Sequence, residues 1–276
     1  MRVAKIRNYC ICPAPLITLK ASGLWTILVI FSTNSTQMLD QWYKGQVTRI
    51  VQETHNTRRF WIQMPEKERF DFKAGQFVTL DLPIHEQKNK RWRSYSIASP
   101  PDGTNTIELV IVLLEGGAGT TYLFNEITEG SELILKGPLG HFTLPEQLDK
   151  DLFLICTGTG IAPFRSMAQY IKAHDLPHPP IHLIYGCRQQ CDLLYAEEMC
   201  QLERELADFH YIPTLSREDN LWTGRKGYVH LIYEELARRQ PAHFFLCGWK
   251  NMIDEAKQRI LAMGYDRHDI HQELYG

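Results

Sequence analysis

Across residues 42–144, apolar and polar positions alternate in short runs, YKGQVTRIV, RRFWIQM, QFVTLDL, RSYSIAS, TIELVIVLL and SELILKGPL, separated by glycine, proline and aspartate. A period of two is the signature of a strand with one wet face, and several such strands at short spacing predict an antiparallel barrel or sandwich. After a polar hinge at residues 145–150 the pattern changes. Near-continuous apolar runs, DLFLIC, IHLIYGC, DFHYIPTLS and HFFLCG, alternate with helix-like stretches at 163–174, 194–207 and 228–239. A final helix at 251–263 leads into the tail HQELYG. Strands alternating with helices imply right-handed crossovers and a parallel sheet. The predicted fold class is therefore a two-domain chain, an antiparallel β-barrel domain followed by an α/β parallel-sheet domain.

Residues 1–37 fit neither pattern. They carry scattered Arg2, Lys5, Arg7 and Lys20, one short apolar run at 24–31, then STNSTQ. That run is too short for about 30 Å of hydrocarbon, and no small-residue cleavage site follows it. The segment is expected to be an extension, disordered or upstream of a true start at Met38, with domains at 38–147 and 148–276. At 44% hydrophobic and 22% charged, the 276 residues have the composition of a soluble globular protein long enough for two domains. A formal net charge of -2 supplies no basic field for nucleic acid. The 7 cysteines show neither C-x-x-C nor iron-sulfur spacing, and are expected to be reduced thiols in a cytoplasmic protein. The absence of H-E-x-x-H and G-x-S-x-G removes support for metalloprotease and serine-esterase chemistry.

The stretch DLFLICTGTGIAPFRSM is a strand, a glycine turn and a helix start. Gly158 and Gly160 allow backbone amides to approach a ligand, Pro163 suits a first helical position, and a helix N-terminus attracts anions. A nucleotide pyrophosphate is one guest; an empty tight turn would use the same glycines. Ligands of parallel sheets sit beyond the strand carboxyl ends, where Thr157, Gly158, Thr159, Gly160, Arg188, Ser216, Arg217, Cys247 and Gly248 would collect. Arg188 stands where an NADH-binding fold offers an acid. With Arg217 and Arg225 it makes three guanidiniums suited to a ribose 2'-phosphate, which predicts NADPH. In the barrel half, RWRSYSIASP puts Arg93 and Tyr95 on one strand face and Ser96 on the other. The preceding Lys88, Lys90 and Arg91 fit either a solvated loop or a site for phosphate or an acidic protein.

Taken in order, R-x-Y-S (Arg93, Tyr95, Ser96), GAGTTYL, GPLGHF, GTGIAPF, LCG and a C-terminal E-x-Y resemble ferredoxin-NADP reductases and the oxygenase reductases that share their core. The resemblance implies an FAD-binding barrel and an NADP-binding parallel sheet. Arg93 would meet the flavin pyrophosphate, Tyr95 would pack on the isoalloxazine, and Ser96 would approach its N5. Thr120, with the amides around Gly119 and Thr121, would hold the FAD phosphates at a backbone turn. Residues 158–163 would receive the NADP pyrophosphate, Cys247 would lie beside the nicotinamide, and Glu273 with Tyr275 would close the site. Ser96, Cys247 and Glu273 are the expected catalytic set. The implied activity is hydride transfer from NADPH to FAD, then single electrons to a separate carrier such as ferredoxin or flavodoxin, with no intrinsic iron-sulfur cluster and no membrane span. A reductase component of an oxygenase, a free-flavin reductase and a nucleotide-sensing regulatory flavoprotein are the alternatives. Gly276 follows Tyr275 where plant-type members end on the aromatic.

Overall fold

The computed structural model describes residues 41–217 and 222–275, so the expected extension at 1–37 lies outside the described residues. Six strands form the first sheet: β1 (Trp42–Thr54), β2 (Thr57–Gln63), β3 (Phe77–Asp81), β4 (Trp92–Ser96), β5 (Thr106–Val112) and β6 (Glu132–Leu139). Their order is β4-β3-β6-β1-β2-β5, every pair antiparallel. A bridge from Ile97 to Leu109 joins the end of β4 to β5 and closes the sheet into a barrel. The predicted alternation holds in β1, where Tyr43, Gly45 and Val47 are buried between exposed Lys44, Gln46 and Thr48. Val47, Phe60, Ile62, Val78, Leu80 and Leu135 fill the interior.

Between β5 and β6 the expected backbone turn is instead a helix, α1 (Ala118–Asn125). Gly119 and the paired threonines hide the helix signal, but Leu123 is buried in the barrel core and docks the helix there.

The second sheet contains β7 (Asp151–Thr157), β8 (Ile181–Cys187), β9 (Phe209–Leu215), β10 (Arg225–Lys226), β11 (Ala242–Trp249) and β12 (Ile270–Tyr275). Its order is β10-β9-β8-β7-β11-β12, every pair parallel. Helices α2 (Ile161–Ala173), α3 (Ala196–Glu205), α4 (His230–Leu236) and α5 (Lys250–Ala262) connect the strands. Phe164 and Met167 of α2 pack with Leu154 and Phe245 in a core that also takes in Ala74, Ala98 and Phe142 from the barrel side. Phe142 lies 5.8 Å from Phe164 and 5.4 Å from Phe245, ring centre to ring centre. On the other face Tyr233, Ile253 and Ile260 cover Phe153, Ile155 and Phe244. None of the helices among the described residues is long and apolar enough to cross a membrane.

Three local expectations are corrected. The tail is a sixth parallel strand, β12 over Ile270–Tyr275, paired with β11 from Phe244 opposite Ile270 to Trp249 opposite Tyr275. Pro163 is the third residue of α2, still within the turn whose amides have no helical acceptor, because a short 3-10 turn at Gly158–Gly160 precedes the helix. Helix α4 stops at Leu236, before Arg238 and Arg239 adopt positive φ of 40° and 63°.

Candidate functional site

The first strand of the parallel sheet, β7, is central: the chain moves from it to β8 and β9 on one side and later to β11 and β12 on the other. That reversal opens a crevice beyond the carboxyl ends of β7 and β11. There the backbones of the two strand ends touch. A Cβ on Gly160 would lie 2.8 Å from the Cys247 carbonyl carbon, and one on Gly248 would lie 2.6 Å from Thr157 Oγ1. Gly158 and Gly248 also have φ of +54° and +135°. Thr157 Oγ1 is buried with no hydrogen-bond partner among the described residues. An unspent hydroxyl beside a cradle that any Cβ would fill suits a ligand carrying polar atoms on a flat or extended body.

Facing this crevice from the barrel is Ser96, at the end of β4 and 4% exposed. Its hydroxyl donates to Glu273 Oε1 and accepts from the Tyr275 hydroxyl at 2.6 Å. The Tyr275 hydroxyl is also within hydrogen-bonding reach of the Cys247 thiol. The expected catalytic residues Ser96, Cys247 and Glu273 therefore meet, together with Tyr275, because β12 lies beside β11 and carries Glu273 opposite Cys247. Burial raises the Glu273 carboxyl above its ordinary value, with the Ser96 hydrogen bond opposing it. Burial, then the charge of Glu273, pushes the Cys247 thiol well up, so it stays protonated and neutral.

On the barrel side Arg93 lies across Gly119, where an added Cβ would sit 3.0 Å from its Cγ. This brings a guanidinium to the N-terminus of α1, while its Nη1 donates to the carbonyls of Lys90 at 3.0 Å and Trp92 at 2.8 Å. Tyr95 is half-buried on the same strand face, its phenol pushed up to about 12 by burial, with Arg93 opposing. The Thr120 hydroxyl accepts from the Leu114 amide and donates to the Gly117 carbonyl, both at 3.1 Å, and so shapes the loop before α1. The Thr121 amide donates to Gly117 at 2.9 Å and is spent within the helix. The amides of this turn with no helical acceptor are those preceding Thr121.

Along the rim of the sheet, the Ser216 amide donates to the Cys187 carbonyl at 3.0 Å and the Arg217 amide to the Arg188 carbonyl at 2.9 Å. Those bonds bring Arg188 and Arg217, both exposed, to one edge of the crevice. Arg225 differs: its guanidinium forks onto Glu235 of α4 at 2.8 and 3.1 Å. Lys88 and Lys90 are exposed on a single 3-10 turn, whereas Arg91 pairs with Asp81 at 2.8 Å.

A second polar cluster, not expected from the sequence, joins the barrel to the parallel sheet. Glu108 of β5, 2% exposed, accepts on Oε1 from Arg59 Nε at 2.6 Å and the Tyr195 hydroxyl at 2.8 Å, and on Oε2 from Arg165 Nη1 at 3.1 Å. Arg165 also donates to the Ala98 carbonyl and to Glu198, each at 2.7 Å, and Ser166 Oγ donates to the Ser99 carbonyl at 2.7 Å. The guanidiniums of Arg59 and Arg165 each lie over the Tyr195 ring, 4.6 Å from its centre. Burial opposes the charge of Arg165, but Glu108 and Glu198 more than offset it and leave the pKa raised. The signal available in sequence was a charge inside each of two apolar runs, TIELVIV and GIAPFRSM.

Residues 44–144 match the family profile of the oxidoreductase FAD-binding domain, and residues 154–258 that of the oxidoreductase NAD-binding domain. Ferredoxin-NADP reductase B of Sorangium cellulosum is 35% identical over 227 residues, which cover 79% of this chain and 91% of that protein. The anthranilate 1,2-dioxygenase electron transfer component of Acinetobacter baylyi is 32% identical over 194 residues, covering 69% of this chain but only 54% of the relative. Among solved structures, a ferredoxin NADP+ reductase from Neisseria gonorrhoeae with bound FAD and NADP superposes with a TM-score of 0.72 at 26% identity, covering 84% of this chain and 98% of that one.

Proposed function

We propose, from the premise that this chain belongs to the ferredoxin-NADP reductase family, that it draws hydride from NADPH onto bound FAD and delivers electrons singly to a separate carrier such as ferredoxin or flavodoxin. The chain is an NAD(P)H-dependent flavoprotein oxidoreductase with an FAD-binding barrel and a nicotinamide-binding parallel sheet. When bound, those two cofactors supply the hydride and single-electron chemistry themselves. The protein's task is to hold them, align them and keep water out.

The observation that carries this reading is the meeting of Ser96 with Glu273, Tyr275 and Cys247 across the two halves. Ser96 Oγ is fixed by one acceptor and one donor, so its hydroxyl has a set direction at the barrel's mouth. Through that hydroxyl a proton can pass between the Glu273 carboxyl and a ligand atom at Ser96. Cys247, neutral and buried, is a spacer beside the nicotinamide, since its raised pKa removes the thiolate a nucleophile would need.

Arg93 against the first turn of α1 suits the FAD pyrophosphate, and Tyr95 offers a ring face to the flavin. Gly158, Thr159, Gly160 and the start of α2 suit the nicotinamide nucleotide's pyrophosphate. Arg188 and Arg217 support NADPH over NADH, with Arg225 a weaker contributor because Glu235 already holds it. The exposed Lys88 and Lys90 suit an acidic carrier protein. The spacing of the 7 cysteines, with no C-x-x-C, supports reduced thiols in a cytoplasmic setting. Similarity to the anthranilate dioxygenase component supports a second reading, the reductase of an oxygenase. Anaerobic stopped-flow mixing of the FAD-loaded protein with NADPH or NADH, then with ferredoxin, flavodoxin or an oxygenase partner, tests the assignment. NADPH should bleach the flavin faster than NADH, and one carrier should restore its colour. No bleaching by either nucleotide refutes the proposal.

A further inference from the structure

Glu108 is held by three donors on different segments, two of them from the parallel-sheet half. A buried ion pair contributes little net stability compared with a well-packed apolar contact, but it fixes registry in a way an apolar contact does not. Greasy surfaces tolerate a small slide; hydrogen bonds of 2.6 to 3.1 Å are lost by one. Three carboxylates, Glu53, Glu108 and Glu198, surround two guanidiniums, Arg59 and Arg165, so neither arginine is left without a counter-charge.

The position of this cluster in the chain matters as much as its strength. Arg165 and Ser166 lie in α2, a turn and a half beyond Gly160. Their acceptors, the carbonyls of Ala98 and Ser99, immediately follow the Ser96 and Ile97 pair that ends the barrel strand. The shortest covalent routes from the glycine turn and from Ser96 therefore converge on the same hydrogen bonds. Relative movement of the turn and the serine must stretch them.

We infer that Glu108 and Arg165 form an interdomain clasp that positions the nicotinamide platform against Ser96, making both of them positioning residues for hydride transfer. This rests on the hydride-transfer reading above. Neither residue needs to touch a cofactor to act. Arg165 sets the direction of α2, which begins at the glycine turn, and Glu108 anchors it to the barrel wall. Lysine cannot replace this arginine, because a single ammonium does not reproduce a fork that reaches Ala98, Glu108 and Glu198 together.

The test uses FAD-loaded full-length protein carrying Arg165→Lys, with Glu108→Gln as a second variant that keeps the side-chain shape. Three quantities are read: flavin reduction at saturating NADPH, the dissociation constant of NADP+, and amide hydrogen exchange at residues 97–99 and 161–167. Reduction should slow on the order of tenfold to a hundredfold while the dissociation constant stays within about threefold, because a small misplacement is costly to rate and cheap for binding. Exchange in both segments should rise together. A merely structural role would lower melting temperature and flavin content, yet leave the reduction rate of the flavin-loaded fraction at the parent value; that result overturns the inference. Unchanged exchange in both segments also overturns it. A parent that neither nucleotide reduces refutes the hydride-transfer reading and the clasp's purpose in it, while a rise in exchange would still uphold the mechanical link.

Discussion

Replacing Gly248 by alanine places a methyl group where the ends of β7 and β11 touch. Its Cβ would lie 2.6 Å from Thr157 Oγ1, 3.2 Å from the Thr157 carbonyl oxygen and 3.3 Å from its amide nitrogen. Ordinary contact begins near 3.4 Å, so the strand ends must part by about 0.8 Å. Overpacking of this kind costs about 1 to 3 kcal/mol. The φ of +135° adds strain of about 1 to 3 kcal/mol for any residue with a side chain. A loss of about 2 to 6 kcal/mol corresponds to a melting temperature lower by about 4 to 24 °C in a chain of this size. Because Cys247 moves with Gly248, flavin reduction should slow on the order of tenfold to a hundredfold. Calorimetry and single-turnover reduction of the flavin-loaded fraction measure the two effects separately. Adding Thr157→Ala removes Oγ1 and should recover most of the steric part, the two backbone contacts and the φ strain remaining; alone it breaks no hydrogen bond within the described protein. A Gly248→Ala protein with the parent's melting temperature and reduction rate would refute the tight crevice.

Arg93→Ala should weaken FAD retention by about tenfold to a hundredfold, the equivalent of one charge-assisted hydrogen bond, and variant protein as yellow as the parent after dialysis argues against that contact. Arg217→Ala should raise the Michaelis constant for NADPH with little change for NADH; equal impairment of both would remove the 2'-phosphate assignment. Acid should destabilise the fold through His182, stacked 4.7 Å from Phe153 and 5.1 Å from His210. Burial, then His210, lowers its pKa from 6.5 to about 4. Above pH 6.5 it is neutral folded and unfolded and contributes nothing to the pH dependence; between pH 6.5 and 4 only the unfolded chain takes up the proton, so stability falls as pH falls. His243 and His271 are depressed by burial in the same sense. Urea midpoints should drop across this window, and His182→Phe should flatten the slope; identical slopes in parent and variant would exclude His182 as a source.

The barrel strands were legible because one wet face imposes alternation, and β7, β8 and β11 because burial on both faces demands apolar runs. The same logic hides β12. An edge strand is paired on one side only, and IHQELY, with its alternating half-buried and exposed positions, reads as a polar tail until Phe244 to Trp249 are seen to need a neighbour. Helix α1 was obscured by Gly119 and two threonines, whose local preference is outweighed by burial of Leu123. The crevice glycines and Ser96 could be read from spacing, whereas the Glu235 that occupies Arg225 could not, since a surface arginine ten positions away gives no sign of its partner. The Glu108 cluster draws its partners from 49 to 87 positions away, a separation that only the folded topology resolves.

The placement of Glu273 and Tyr275 on β12 also sets an order of events during folding. They are separated from Ser96 by 177 and 179 positions, among the most remote contacts the chain makes. The barrel closes through its own Ile97 to Leu109 bridge, long before those partners exist on a growing chain. A copy arrested before β12 would hold a finished barrel, an unpartnered Ser96 and a bare β11 edge lined by Phe244, Phe245 and Leu246. Until β12 arrives, that open strand edge is a template for pairing with another chain.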